Sequence, residues 1–189
     1  SKHGELGPVY GYQWRHFGGI DQLSNAVNQL LEKKNATIIS WNPIDYPKMA
    51  MKPRTLAIQF DINNTRLDTR IVLDTVDMIM QFPGMVSAYS LLALLVAKMS
   101  KLQPGKIILQ VGTSYIRESH ISTVEYETER TPFPFPLVGI KRELTIDTLS
   151  TFDIEEDIVW ESYKYHEGLT YPTSTPTPSN PATPSTPPT

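Results

Sequence analysis

The chain contains no cysteine. That absence excludes disulfide frameworks, thiolate metal sites and a cysteine nucleophile within this polypeptide. A large charge of one sign is missing too. Seventeen Lys and Arg stand against 20 Asp and Glu, a formal charge of −3, which argues against a strongly basic nucleic-acid surface. No run of about 18 apolar residues is evident, so no membrane span is expected. The longest apolar stretch, Leu91–Ala97, sits inside an amphipathic pattern. The first residues, Ser1 to Glu5, are polar, so no secretion signal is expected and the setting reads as cytoplasmic or within a large assembly. What is present suffices for a core. Of 189 residues, 40% are hydrophobic and 20% charged, the scale of one domain on the usual prior of roughly 100–200 residues.

Proline is unevenly spread: seven of the 16 fall between Pro172 and Pro188. Residues 171–189 are almost all Pro, Thr and Ser and carry no charge. Such a segment cannot bury enough apolar area to offset its ordering entropy. It reads as a linker or frayed tail, or as an extended arm lying on a partner. The folded domain is expected to span 1–170, with the tail beyond it.

Within that domain, Ile20, Leu23, Val27, Leu30 and Leu31 recur at helical spacing, predicting a helix from Gly19 to Lys34 capped by Asp21. Residues 37–41 read as a short strand and Thr55–Asn63 as a longer one. Asn63-Asn64 signals a turn into a second strand over Asp68–Met80, forming a hairpin. Pro83 opens a long helix to about Lys101, expected to be central and buried, with Pro104-Gly105 ending it. Lys106–Gly112 reads as a third strand and Tyr115–Glu129 as a polar helix. The prolines 132, 134 and 136 force an extended connection, followed by short strands at Leu137–Lys141 and around Ile154-Glu155. Helices and strands mix without strict alternation, which favours an α+β domain with one mixed sheet backed by helices.

The segment Gly7-Pro8-Val9-Tyr10-Gly11-Tyr12-Gln13-Trp14-Arg15 resembles the thymidylate synthase and pyrimidine hydroxymethylase family. So, in order, do Ser40-Trp41-Asn42, Lys48-Met49-Ala50, Gln59-Phe60, Ser87-Ala88-Tyr89-Ser90-Leu91-Leu92 and Leu102-Gln103-Pro104-Gly105. His120 and Pro132-Phe133-Pro134 complete the series. The resemblance implies a homodimer whose sheet faces pack together. It implies chemistry in which a cysteine thiolate attacks C6 of a pyrimidine monophosphate and a folate supplies one carbon to C5.

The departures fall on the chemistry. The resemblance places Arg54, within Pro53-Arg54-Thr55, where the family's cysteine stands. A guanidinium is always protonated and cannot act as the nucleophile. The phosphate-binding stretch reads Leu73-Asp74-Thr75-Val76-Asp77, with Asp74 in place of an arginine. That reverses the sign of the local Coulomb interaction. Met85 replaces the asparagine that reads the base, and methionine offers almost no hydrogen bonding. Tyr115 and Arg117 stand at the sugar-binding positions, and Lys34-Asn35 at the paired arginines that reach a partner's phosphate.

No catalytic residue and no metal site are therefore expected. The histidines show no ligand spacing. No cofactor is expected either; folate would enter only with the family activity retained. The first reading is an inactive relative serving as a structural or assembly subunit, as a homodimer or a heterodimer with a paralogue, within a virus particle or other large complex. The second is an anion- or nucleotide-binding regulator of an active paralogue using Arg15, Lys34, Arg54, Thr75, Asp77 and Arg117, with Tyr10 and Trp14. The third is a pyrimidine methyl- or hydroxymethyltransferase of altered mechanism. Against the second stands the simpler view that Arg15, Lys34, Arg54 and Arg117 are surface or interface charges paired with Asp74, Asp77 or Glu118. Nothing points to nucleic acid or membrane as a partner.

Overall fold

The computed structural model describes residues 4–169. The proline-rich stretch 171–189 lies outside the described residues. In chain order the elements begin with α1 (Gly11–His16), α2 (Gln22–Leu31), β1 (Ala36–Ile39), β2 (Thr55–Asn63) and β3 (Arg66–Asp77). They continue with α3 (Phe82–Met99), β4 (Gln103–Tyr115), α4 (Ile121–Thr128), β5 (Leu137–Ile140), α5 (Ile154–Asp157) and β6 (Ile158–Glu161). Strands β1 to β4 form a mixed sheet in that order, and β5 with β6 forms a small antiparallel pair.

β2 and β3 pair antiparallel across a two-residue turn, with Asn63 opposite Arg66 and Asn64 at φ 57. Asparagine tolerates that left-handed conformation better than most residues. β3 and β4 run parallel, joined by α3 as the crossover a parallel pair requires. Alternate residues on one sheet face, among them Ile38, Ile58, Phe60, Ile71 and Leu73, are buried in a core shared with Leu23, Val27 and Leu30 of α2 and Val96 of α3. The opposite face carries no helix of the described residues. Ile39, Ala57, Val72 and Gln110 lie side by side across it, next to a row of Thr37, Gln59, Arg70 and Ile108.

Asp21 caps α2 as expected, its carboxylate accepting from the Ser24 N–H at 2.9 Å. The helix is shorter than its apolar repeat because Lys33, at φ 64, turns the chain and the Lys34 N–H donates to the Gln29 carbonyl at 2.9 Å. α3 ends the same way. Lys101 sits at φ 56 and the Leu102 N–H reaches the Ala97 carbonyl at 2.9 Å. Pro104-Gly105 therefore does not terminate the helix but lies inside β4.

Two further expectations are corrected. Ile154-Glu155 belongs to a helical turn rather than a strand, because the Asp153 carboxylate accepts from the N–H groups of Glu155 and Glu156. α3 is long and apolar enough to cross a bilayer by length and composition, contrary to the expectation that no such segment exists. It is also not buried all round. Tyr89, Ala93, Val96 and Ala97 are buried, on the helix that packs against β3 and β4, while Val86, Leu91 and Leu94 line a surface groove with Phe135 and Trp160. That contact with the sheet marks α3 as its crossover helix.

Candidate functional site

A cavity of about 490 Å3 opens between the start of α1, the approach to β2 and one stripe of α3. Tyr10 and Trp14 come from the first segment, Met51 and Arg54 from the second. Gln81, Gly84, Met85, Ala88 and Leu92 recur at helical spacing and form the third wall, with Tyr89 beside them.

A buried polar network holds the first wall in place. Gln13 is fully buried, and its amide nitrogen donates to the Pro8 carbonyl at 2.8 Å and to Asp45 Oδ2 at 2.9 Å. Its amide oxygen accepts from Asn42 Nδ2 at 3.0 Å. These bonds lock the chain around Tyr10 against the loop after β1. Trp14 Nε1 donates to Ser40 Oγ at 2.8 Å, fixing the indole. Gly7 lies against the Lys48 carbonyl at φ +77, where a Cβ would collide, so only glycine fits.

Arg54 is partly buried just before β2. Its backbone is clamped on both sides: the N–H donates to Tyr10 Oη at 3.0 Å and the carbonyl accepts from the Asp74 N–H at 2.8 Å. Its guanidinium has no hydrogen bond or ion pair among the described residues. Thr55 beside it is fully buried and shares a hydrogen bond with the Tyr89 hydroxyl. Burial pushes the Tyr89 phenol above its ordinary pKa, against the lowering influence of that bond.

Of the residues singled out in the sequence, the cavity gathers Arg54 with Tyr10 and Trp14. Arg15 pairs with Asp21 at 2.8 Å, and Lys34 with Glu32 at 2.8 Å on the exposed end of α2. Arg117 pairs with Asp77 at 3.1 Å. Thr75 is half-buried on β3 and does not line the cavity. Asp74 is exposed and flanks Arg54 in an adjoining depression of about 210 Å3 with Lys52. Met51, Gln81 and Ala88 were not singled out. The α3 residues among them were legible as a second helical stripe beside the core stripe. Met51 carries no such pattern.

Asp77 is fully buried at the end of β3. Its Oδ1 accepts from the N–H groups of Ile79 and Met80 at 3.1 and 3.0 Å, and its Oδ2 from Arg117. Burial acts to raise its pKa, but the two backbone N–H groups and the guanidinium outweigh it and the carboxyl titrates below its usual range. A depressed carboxylate contributes stability above its unfolded pKa and loses it as pH falls through the folded value. Asp77→Asn should therefore lower stability by about 2 kcal/mol at pH 7, since hydrogen bonds to a charged group are lost. The gap to the wild type should close toward pH 2. Urea unfolding across that range checks this; a pH-independent gap would refute the carboxylate's role.

A mixed sheet whose parallel pair is joined by α3, with a cavity walled by the Gly-Pro-Val-Tyr-Gly segment and that helix, defines an α+β domain. The profile of the thymidylate synthase family matches residues 1–175. The thymidylate synthase of Mycoplasma genitalium is 35% identical over 165 residues, covering 86% of this chain and 56% of that protein. Those of equine herpesvirus 2 and herpesvirus ateles are 32% and 30% identical, covering 88% and 90% of this chain and 62% and 63% of theirs. The chain belongs to the thymidylate synthase family. It spans less than two thirds of the length of these relatives.

Proposed function

We propose that this chain is a chemically silent member of the thymidylate synthase family that serves as a structural or assembly subunit. The observation that carries the reading is the identity of residue 54, a guanidinium with a clamped backbone where the family resemblance places a thiol, in a chain without any cysteine. A guanidinium cannot form the bond to C6 that opens the family's reaction, and without a thiolate the cavity lacks the nucleophile on which a folate-dependent transfer to C5 relies. An altered mechanism using Asp77 as a base has little support, because both its oxygens are taken up by Ile79, Met80 and Arg117.

Self-association through the helix-free sheet face, as a homodimer or with a paralogue, fits the apolar row Ile39, Ala57 and Val72. A second reading, anion binding, is favoured by one observation: Arg54 has no partner side chain among the described residues.

The test is release of tritium from C5 of labelled deoxyuridylate or deoxycytidylate by the pure polypeptide with a reduced folate. The expected result is no release above background. Turnover that survives purification to homogeneity overturns the proposal.

A further inference from the structure

Most polar atoms around the cavity already hold a hydrogen bond, Gln81 Nε2 and the Arg54 guanidinium excepted. Trp14 Nε1 is bonded to Ser40, and Tyr89 to Thr55. Tyr10 Oη accepts from the Arg54 N–H, and Gln81 Oε1 accepts from the Asp77 N–H at 3.1 Å. The remaining walls, Met51, Met85, Ala88 and Leu92, are apolar. One full charge lines this space, that of Arg54, and its guanidinium forms no ion pair among the described residues. A nucleotide would bring several base and sugar donors and acceptors to walls that offer them few partners, and each unpaired group costs binding energy. Any anion there also meets the carboxylate of Asp74, which flanks Arg54, and a dianionic phosphate is repelled about twice as strongly as a monoanion.

We propose that the cavity binds a small apolar monoanion of the carboxylate class, its hydrocarbon body against Trp14, Met85 and Leu92 and its head on the Arg54 guanidinium. The volume of about 490 Å3 falls within the range of roughly 300–1,000 Å3 typical of small-molecule sites. A planar fork of N–H donors suits a carboxylate in bidentate geometry. The inference deepens the anion-binding reading and rests on it; it is independent of whether the chain turns over a pyrimidine nucleotide.

Calorimetric titration of the full chain with 4-phenylbutyrate, its neutral counterpart 4-phenylbutanol, and deoxyuridylate tests it. Saturable binding of 4-phenylbutyrate is expected, tighter than that of either other compound. Arg54→Met should weaken the acid at least tenfold and leave the alcohol unchanged, while Arg54→Lys should retain part of the affinity. Asp74→Asn, a change at an exposed site, should tighten the acid, and it carries the test if Arg54→Met does not fold. No saturation by the intact chain, equal affinity in Arg54→Met, weaker binding in Asp74→Asn, or a preference for deoxyuridylate each overturns the proposal. The tritium assay is read separately, so a failure here leaves the silent-enzyme reading standing or falling on its own result.

Discussion

Gln13→Leu is expected to cost about 3 kcal/mol of folding stability, because it removes three hydrogen bonds from a buried position rather than opening a hole. Leucine has a similar volume, so packing around position 13 changes little. What changes is the bonding of three groups at once: the Pro8 carbonyl loses the Gln13 amide, while Asp45 Oδ2 and the Asn42 amide each lose one bond and keep the 3.0 Å bond between them. Asp45 reports the same loss. Its carboxyl is held below the usual range first by Gln13 and then by Lys48. In the variant that depression shrinks, and its titration, followed by NMR, moves toward the ordinary value. A measured cost below about 1 kcal/mol would show that the network positions the loop without stabilising it. The residue belongs to the motif that most resembles the family, yet the structure gives it a purely architectural task.

The second large effect contrasts two faces of one strand. Phe60 is fully buried in the core. Phe60→Ala should cost about 4 kcal/mol, from lost transfer energy and from the cavity left behind. Ala57, three residues earlier on β2, lies on the helix-free face between Ile39 and Val72. An arginine there can extend to solvent in a lone chain, so monomer stability should shift by less than about 1 kcal/mol. If that face joins two copies, the same substitution buries an unpaired charge and abolishes association. Urea melts of both variants, with sedimentation velocity on Ala57→Arg, separate the outcomes. An unchanged sedimentation profile that was already monomeric would remove the sheet face from the assembly reading.

Local chemistry made much of this fold legible. The alternation in β2 gave the same bounds in sequence and structure. The Asp21 cap and the Asn64 turn also stood out, because each residue's own side-chain or backbone preference dictates the local conformation. The ends of α2 and α3 were harder to read, since lysine rather than glycine occupies the left-handed closing position in both. The parallel pairing of β3 with β4 depends on where α3 returns the chain, which no local signal encodes. At the site, the residue types at positions 54, 74 and 85, set beside the family pattern, could be read as chemical expectations. Which charges meet was legible only in part: Asp77, among the expected partners, takes Arg117, whereas Arg15 and Lys34 pair with Asp21 and Glu32 a few residues away, a pairing set by side-chain reach rather than by motif.

The position of β3 has a consequence for how the chain is made. Its partner on one side is reached by a turn of two residues, and its partner on the other only after all of α3. During synthesis the β2–β3 ribbon can zip while the crossover is still inside the ribosome, and β4 joins last. Short-range pairings form with little loop-closure entropy, whereas long-range ones must wait for it. A nascent chain halted before Gln103 thus presents one flank of its central strand to whatever else is being translated nearby.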